Sequence, residues 1–130
     1  MVEIPKSHAD ILDSTALAHV GTVNPDGSPQ VTPIWFNHAD GHILINSAEG
    51  RKKDRNMRAR PEVGLSIVDP NNAYRYLGIQ GTVVEITAEG GEAHIHELAH
   101  KYMGRDYPNI NANETRVIYK IEPTRVWTMG

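Results

Sequence analysis

The sequence predicts a mainly β protein with short helices, in which about six antiparallel strands close into a small barrel. Segments rich in β-branched and aromatic residues recur along the 130 residues, and several carry apolar side chains at alternate positions. Turn residues separate these segments, notably Pro25-Asp26-Gly27 and Asp69-Pro70. Because a small barrel is filled by its own side chains, we expect a large ligand on its outside or at a subunit interface.

The elements can be assigned in order along the chain. They are a short helix at 6–13, strands at 16–23, 30–36 and 43–47, a turn at 37–41, a basic helix that stops near residue 60, strands at 63–67 and 74–87, a helix at 93–103, a polar loop at 104–114, and a strand at 117–121 followed by residues 126–127. Pro33 cannot donate a ladder hydrogen bond, so its strand should lie at a sheet edge or contain a bulge. Gly78 and Gly81 predict bulges or close backbone approach inside the long strand.

Composition limits the classes of function. The net charge of −3 provides no general attraction for nucleic acid, and the chain has no cysteine for disulfides, iron–sulfur clusters or thiol catalysis. The N-terminus is too polar for a signal peptide, and no apolar stretch approaches the roughly 18 residues of a membrane helix. We therefore expect one domain over residues 1–130, cytoplasmic, without a nucleic-acid or membrane partner.

A basic segment follows one of the predicted strands. Six of the 13 Lys and Arg residues lie between positions 51 and 60, after the apolar run 43–45, the polar pair Asn46-Ser47 and Gly50. Backbone N–H groups at a helix start and the charges of Arg and Lys together suit a phosphate. The same residues could form a solvated helix face or a small nucleic-acid patch, and the uneven mixture of charges favours an anionic small ligand.

The sequence His96-Glu97-Leu98-Ala99-His100 matches the H-E-x-x-H motif of zinc peptidases, in which two His bind the metal and the Glu is the general base. The third ligand is missing, since no His follows His100, Glu114 falls in the polar loop and Glu122 stands next to a proline. We expect an exposed His-rich helix face and no metal site. A zinc peptidase is therefore the remote alternative.

Two aromatic segments allow two interpretations each. The backbone beside Trp35 could be the floor of a site for a planar ligand, or Trp35 could simply pack at a barrel edge. The segment 69–76, with Tyr74 and Tyr76 on either side of Arg75, could be a pocket wall between subunits or an ordinary hairpin connection.

Together these segments resemble the split β-barrel flavin and deazaflavin oxidoreductases related to pyridoxamine 5′-phosphate oxidase, and most of all their coenzyme F420-dependent branch. The resemblance covers nearly the whole chain. It is carried by the order and spacing of residues 18–36 (AHVGTVNPDGSPQVTPIWF), 50–56 (GRKKDRN), 68–72 (VDPNN) with 74–76 (YRY), 80–81 (QG) and 122–127 (EPTRVW).

The resemblance implies a six-stranded antiparallel split barrel of the FMN-binding type and a homodimer with cofactor sites at the subunit interface. The cofactor would be F420, with FMN as the alternative, either in an oxidase-like protein or in a flavin carrier. The implied reaction is hydride transfer from reduced F420 to an electron-poor small molecule such as a quinone, an enone or a linear tetrapyrrole. No side chain is assigned as a general acid.

The resemblance also implies which residues bind the cofactor. The ring system would lie against the two strands that contain Thr32, Pro33, Ile34, Trp35, Asn46 and Ser47. The phosphate would be bound by Arg51 and Lys53, with Lys52 and Arg55 nearby and Asn56 at the next turn of the helix. Tyr74, Tyr76 and Trp127 would come from the partner subunit or shape the pocket mouth.

Overall fold

The computed structural model describes residues 1–130 and contains seven strands in one antiparallel sheet. The strands are β1 (Ala18–Val23), β2 (Pro29–Ile34), β3 (Phe36–Ala39), β4 (His42–Ala48), β5 (Glu62–Val68), β6 (Tyr76–Thr87) and β7 (Arg116–Met129). A 3₁₀ helix covers Lys6–Asp13, and the two α-helices are α1 (Lys52–Ala59) and α2 (Gly91–Met103). No helix of the chain combines the length and the apolar composition that a membrane span requires.

The order of the strands explains the shape of the sheet. The order is β2-β1-β5-β6-β7-β4-β3, so β2 and β3 lie at opposite edges although a single residue, Trp35, separates them in the chain. Ile34 pairs with Ala18 in β1, whereas Phe36 pairs with Ile45 in β4. The sheet therefore curls until its two edges meet at Trp35, which confirms the predicted split barrel.

The strand count is seven rather than six, because the predicted strand at 30–36 is divided at Trp35. The bend is fixed by contacts from α2. The Phe36 N–H donates to Tyr102 Oη (3.3 Å), and the Phe36 carbonyl accepts a hydrogen bond from Lys101 Nζ (2.9 Å). Phe36 can then begin β3, so the predicted turn at 37–41 shortens to Asp40-Gly41, both with positive φ (53° and 81°).

The long strands contain the expected irregularities. The β6–β7 register shifts between Gln80 and Gly81, opposite Pro123, so the bulge predicted at Gly81 is confirmed and the proline fits within one continuous β7. A Cβ on Gly78 would lie 2.1 Å from a ring carbon of Trp127, which confirms close approach there. Pro33 lies in the edge strand β2, as predicted.

The core occupies the inside of the curled sheet. A cluster of 18 buried residues includes alternate positions of the strands, such as Ile43 and Ile45 in β4 and Tyr119 and Ile121 in β7. Met57 brings α1 onto this cluster. The side chains at the intervening positions of β4 and β7 point the other way, and Asn46 of β4 contacts α2. A site outside the barrel is therefore built between this face of the sheet and α2.

Candidate cofactor site

A cavity of about 360 Å³ opens beside Trp35, where β2, β4 and the start of α1 meet α2 and the loop before β7. Apolar and cationic groups share it. Its lining residues are Leu17, Pro33, Ile34, Trp35, Asn46, Ser47, Arg51, Lys53, Ile95, Leu98, Tyr107 and Arg116. The cavity thus places an aromatic and aliphatic wall beside three basic side chains.

Trp35 forms the aromatic part of the wall. Its ring stacks on Tyr102 (centroids 5.3 Å apart, planes at 5°) and meets the edge of Tyr107 (6.1 Å, 83°). The Tyr102 hydroxyl donates to the Ala16 carbonyl at 2.6 Å, and burial raises the pKa of Tyr102 to about 12, so this donor keeps its proton. Trp35 is therefore packed by its neighbours and also lines the cavity, while its role as the floor of a site for a planar ligand stays a prediction.

Three cationic side chains also line the cavity. Arg51, Lys53 and Arg116 all line it, and the nearby carboxylate of Glu114 binds Arg51 at 2.9 Å and lies 3.8 Å from Arg116. Burial lowers the pKa of Lys53, and the charges of Arg51 and Arg116 lower it further. Burial also lowers the pKa of Arg116. Three cations beside one carboxylate leave an excess of positive charge that suits a phosphate.

The start of α1 places Arg51 and Lys53 close to the positive end of the helix dipole, which is unfavourable for basic side chains. Basic groups near a helix N-terminus are unfavourable, yet Arg51 is the N-cap residue and Lys53 lies in the first turn. Asp54 offsets this arrangement. Its buried carboxylate accepts hydrogen bonds from the Gly50 N–H (2.9 Å), the Tyr119 hydroxyl (2.5 Å) and Arg58 Nε (3.0 Å).

Burial alone would raise the pKa of Asp54, but the hydrogen bonds from Gly50, Tyr119 and Arg58 outweigh it and hold that pKa below its usual value. Burial raises the pKa of Tyr119 as well, and the neighbouring Asp54 raises it further. At neutral pH the pair is therefore a carboxylate and a neutral phenol. Together they tie the turn before α1 to β7.

A buried series of hydrogen bonds runs outward from Arg116. Arg116 Nε donates to Asn46 Oδ1 (2.8 Å), and Asn46 Nδ2 contacts both the Gly91 carbonyl (2.9 Å) and His94 Nδ1 (3.1 Å). His94 Nε2 then reaches Asn37 Oδ1 at 2.9 Å. Burial, together with the smaller effect of the Arg116 charge, lowers the pKa of His94 to about 4, so the imidazole is neutral at neutral pH.

The structure brings seven of the twelve predicted cofactor residues to the cavity and leaves five elsewhere. The seven are Pro33, Ile34, Trp35, Asn46, Ser47, Arg51 and Lys53. The five outside the cavity lining are Thr32, Lys52, Arg55, Asn56 and Tyr76.

Two of these five have partners that account for their positions. Arg55 donates to the Gly50 carbonyl. Buried Asn56 donates to Thr22 Oγ1 and Asn24 Oδ1, which holds α1 against the end of β1. Lys52 is exposed, and Thr32 and Tyr76 lie within β2 and β6.

Sequence reasoning missed Arg116 and Tyr107. Arg116 precedes the alternating apolar residues of β7, and it lies on the opposite side of the strand from Val117. Tyr107 is the only aromatic residue in the polar loop that was expected at 104–114. A basic residue at the start of a strand and an isolated aromatic residue in a loop are the signals that could have indicated them.

The H-E-x-x-H residues have other partners in the structure. His96 Nδ1 accepts the Tyr107 N–H at 3.0 Å, and His100 Nε2 contacts Asp106 Oδ1 at 2.6 Å, while Glu97 is exposed. No group of three or more His, Asp and Glu side chains is arranged to hold a metal ion. The two histidines instead attach the 104–115 loop to α2.

The curled sheet divided at Trp35 gives this chain the architecture of the split β-barrel proteins. A comparison with protein families matches residues 4–130 to the family described as pyridoxamine 5′-phosphate oxidase. The chain therefore belongs to the pyridoxamine 5′-phosphate oxidase family. None of the curated proteins matches it significantly.

Solved structures support the same assignment. An F420 reductase is 32% identical over 95% of this chain and 98% of its own, with a TM-score of 0.86. The conserved hypothetical protein Rv2991 from Mycobacterium tuberculosis is 23% identical over 99% and 86%, with a TM-score of 0.78. Group A Streptococcus HupZ is 21% identical over 96% and 93%, with a TM-score of 0.70. The last two are similar in fold.

Proposed function

We propose that this protein is an oxidoreductase that uses coenzyme F420 to reduce an electron-poor small molecule. The observation that carries the proposal is a single cavity that joins the Trp35 wall to Arg51, Lys53 and Arg116. A planar ring system with a phosphate-bearing tail matches both parts of that cavity. The similarity to an F420 reductase favours the deazaflavin.

A buried nitrogen of Arg116 is a second reason to expect a phosphate-bearing cofactor here. Arg116 Nη1 is buried and has no hydrogen-bond partner, and a phosphate oxygen is the kind of acceptor that it needs. Arg51 shares its carboxylate partner, Glu114, with Arg116. Arg51 and Lys53, together with the residues of β2 and β4 on the cavity wall, would therefore hold the phosphate and the ring.

Reduced F420 would supply a hydride when it is bound, and the protein would position its ring and form the environment of the reaction. Pro33, Ile34 and Trp35 line the cavity from the edge of the sheet, and Ile95 and Leu98 line it from α2. The basic end anchors the tail, so that the reactive part of the ring is held at a constant place. Substrates in the proposed class are quinones, enones and linear tetrapyrroles.

FMN is the second candidate cofactor, because the family is described as pyridoxamine 5′-phosphate oxidase. Titration of the purified protein with F420 and with FMN, each followed by fluorescence, separates the two. We expect micromolar or tighter binding of F420 and weaker binding of FMN. Tighter binding of FMN would favour the oxidase-like alternative, and binding of neither would refute the proposal.

Replacement of two cations tests the phosphate contacts. Since each charged hydrogen bond contributes about 1.5 to 3 kcal/mol, Arg51→Ala/Lys53→Ala should weaken F420 about 100-fold or more. Lys6→Ala/Arg125→Ala removes the same charge from exposed positions and should leave the affinity nearly unchanged. Equal affinity of the wild type and the Arg51/Lys53 variant would show that the phosphate lies elsewhere. Consumption of reduced F420 with a panel of quinones and enones then identifies the substrate class.

We further propose that the functional unit is a homodimer that completes the cofactor site. Val31, Trp127 and Met129 are 63%, 45% and 54% exposed, and a second copy of the chain is the surface that we propose to cover them. Sedimentation equilibrium is expected to give twice the mass of one chain. A monomer that binds cofactor with full affinity would contradict this proposal.

A further inference from the structure

Arg116 has a largely buried side chain, and one of its guanidinium nitrogens has no hydrogen-bond partner. Its side chain is 9% exposed, and Nε donates to Asn46 Oδ1 at 2.8 Å. Nη1 has no hydrogen-bond partner, and the nearest carboxylate oxygen, on Glu114, is 3.8 Å away. A buried guanidinium with a free N–H is costly, so this arrangement requires an acceptor that the chain does not provide.

A purely structural role explains only part of this geometry. The guanidinium carbon lies 5.6 Å from the ring centroid of Tyr107, which helps to fix the loop. That contact provides no hydrogen-bond acceptor for Nη1. The available carboxylate of Glu114 is closer to Arg51, at 2.9 Å. The Arg116 side chain lines the same cationic cavity as Arg51 and Lys53, and it also lines a second cavity beside Glu114.

The side chains behind Arg116 allow only one direction of hydrogen bonding. Asn46 Oδ1 accepts from Arg116, so Nδ2 of the same amide must donate to the Gly91 carbonyl and to His94 Nδ1. His94 Nδ1 is then unprotonated, and its Nε2–H donates to Asn37 Oδ1. A reversed Asn46 amide would place an N–H group against the guanidinium. The series Asn37–His94–Asn46 thus fixes the orientation of Arg116 from behind.

We propose that Arg116 is a third phosphate-binding residue of the cofactor cavity, and that Asn37, His94 and Asn46 are positioning residues that orient its guanidinium. This inference rests on the proposed function, because it assigns the free N–H to the phosphate of the cofactor. Arg51 and Lys53 come from the start of α1, whereas Arg116 comes from the start of β7. The phosphate is therefore bound from two elements that lie far apart in the sequence.

Pairs of ligands that differ in the phosphate test the role of Arg116. The pairs are F420 with its phosphate-free deazaflavin riboside, and FMN with riboflavin. Arg116→Gln should weaken the phosphate-bearing member about 10- to 100-fold and the phosphate-free member less than about twofold. Arg116→Lys, which keeps the charge and loses the planar fork, should give an intermediate loss. Equal losses for both members, or no loss, would overturn the assignment.

The test separates failure of the inference from failure of the proposed function. If the wild type binds neither pair, the cofactor assignment is wrong, and inorganic phosphate becomes the probe. Phosphate should then raise the unfolding temperature of the wild type more than that of Arg116→Gln. Equal increases would show that Arg116 does not bind phosphate at all.

The positioning role of His94 is tested in the same way. His94→Phe removes both hydrogen bonds and should weaken only the phosphate-bearing ligands, about fivefold or more. His94→Gln can still accept and donate, so it should restore most of that loss, and His100→Gln on the exposed side of α2 is the matched control. A loss shared by the phosphate-free ligands would indicate a merely structural role. Should His94→Phe fail to fold, Asn37→Ala removes the terminal acceptor and must produce the same selective loss.

Discussion

At the scale of single residues, Asp54 holds the basic turn in place. Its carboxylate is buried and accepts hydrogen bonds from a backbone N–H, a phenol and a guanidinium. Asp54→Asn keeps the shape but loses the charge, so we expect unfolding free energy to fall by about 2 to 3 kcal/mol. Urea denaturation measures this change. Asp40→Asn, in an exposed turn, is the control and should change stability little.

The pH dependence of the same residue has a definite sign. The pKa of Asp54 is lower in the folded protein than in the unfolded chain, where it is about 4. The Asp54 carboxylate therefore makes its full contribution to the unfolding free energy above this pH. The contribution is lost as the pH falls from there towards the folded value. The stability difference between the wild type and Asp54→Asn should therefore shrink in acid. A difference that stays constant in acid would contradict this account.

Glu114 competes with the ligand for Arg51. Its carboxylate lies 2.9 Å from Arg51 Nη2, and the Arg51 side chain is half exposed. Glu114→Gln frees this cation, and we expect the affinity for a phosphate-bearing cofactor to rise about threefold, since a partly exposed pair contributes little. The gain should decrease at high salt. Glu3→Gln removes an exposed acid at the N-terminus and should have no effect; weaker binding by Glu114→Gln would show that Glu114 supports the site.

At the scale of elements, α2 fixes the bend that divides β2 from β3. Tyr102 Oη donates to the Ala16 carbonyl and accepts the Phe36 N–H, while the ring of Tyr102 stacks on Trp35. Tyr102→Phe keeps the stacking and loses both hydrogen bonds, so we expect a loss of about 1 to 2 kcal/mol in unfolding free energy.

Urea denaturation measures this loss, and amide exchange at Phe36 should become faster. Since the pKa of Tyr102 is about 12, the effect should be the same throughout the neutral range. Tyr74→Phe, at a residue that is 81% exposed, is the control. Unchanged exchange at Phe36 would mean that the backbone alone determines the bend.

The same bend shows which elements a sequence can specify. The periodicity of the β segments and the turn residues predicted most elements close to their observed bounds, including α1 and its end before Pro61. The division at Trp35 was not predictable in that way, because residues 30–36 are uniformly favourable for a strand. Contacts from Lys101 and Tyr102, which lie more than 60 residues later in the chain, decide where the strand breaks.

At the scale of the whole molecule, the order of residues in the sequence predicted one part of the site. The other part depends on contacts between residues that lie far apart in the sequence. Arg51 and Lys53 lie only four and six residues after Ser47 in the sequence, so their grouping with Asn46 and Ser47 could be recognised from local order. Arg116 reaches the cavity only because β7 pairs with β4, with Arg116 opposite Ala48. Tyr107 is placed by a hydrogen bond to His96. Local signals can mark Arg116 and Tyr107 as candidates, but only these long-range contacts place them at the cavity.

Stability of the whole molecule should depend on pH through buried His94. The pKa of His94 falls from 6.5 to about 4 on folding, so between these values the unfolded chain binds a proton that the folded protein excludes. Unfolding free energy must therefore rise with pH across this window, by at most about 3 kcal/mol. His94 changes the unfolding free energy in a higher pH range than Asp54 does, so the two effects can be distinguished.

Urea denaturation at a series of pH values checks this expectation. His94→Gln cannot take up the proton, so its stability should vary less between about pH 4 and pH 6.5 than that of the wild type. The other six histidines are common to both proteins, so their contributions cancel in the difference. If the wild type and His94→Gln show equal slopes, His94 is protonated without cost, and the hydrogen-bonded series behind Arg116 would have to accept a charged imidazole.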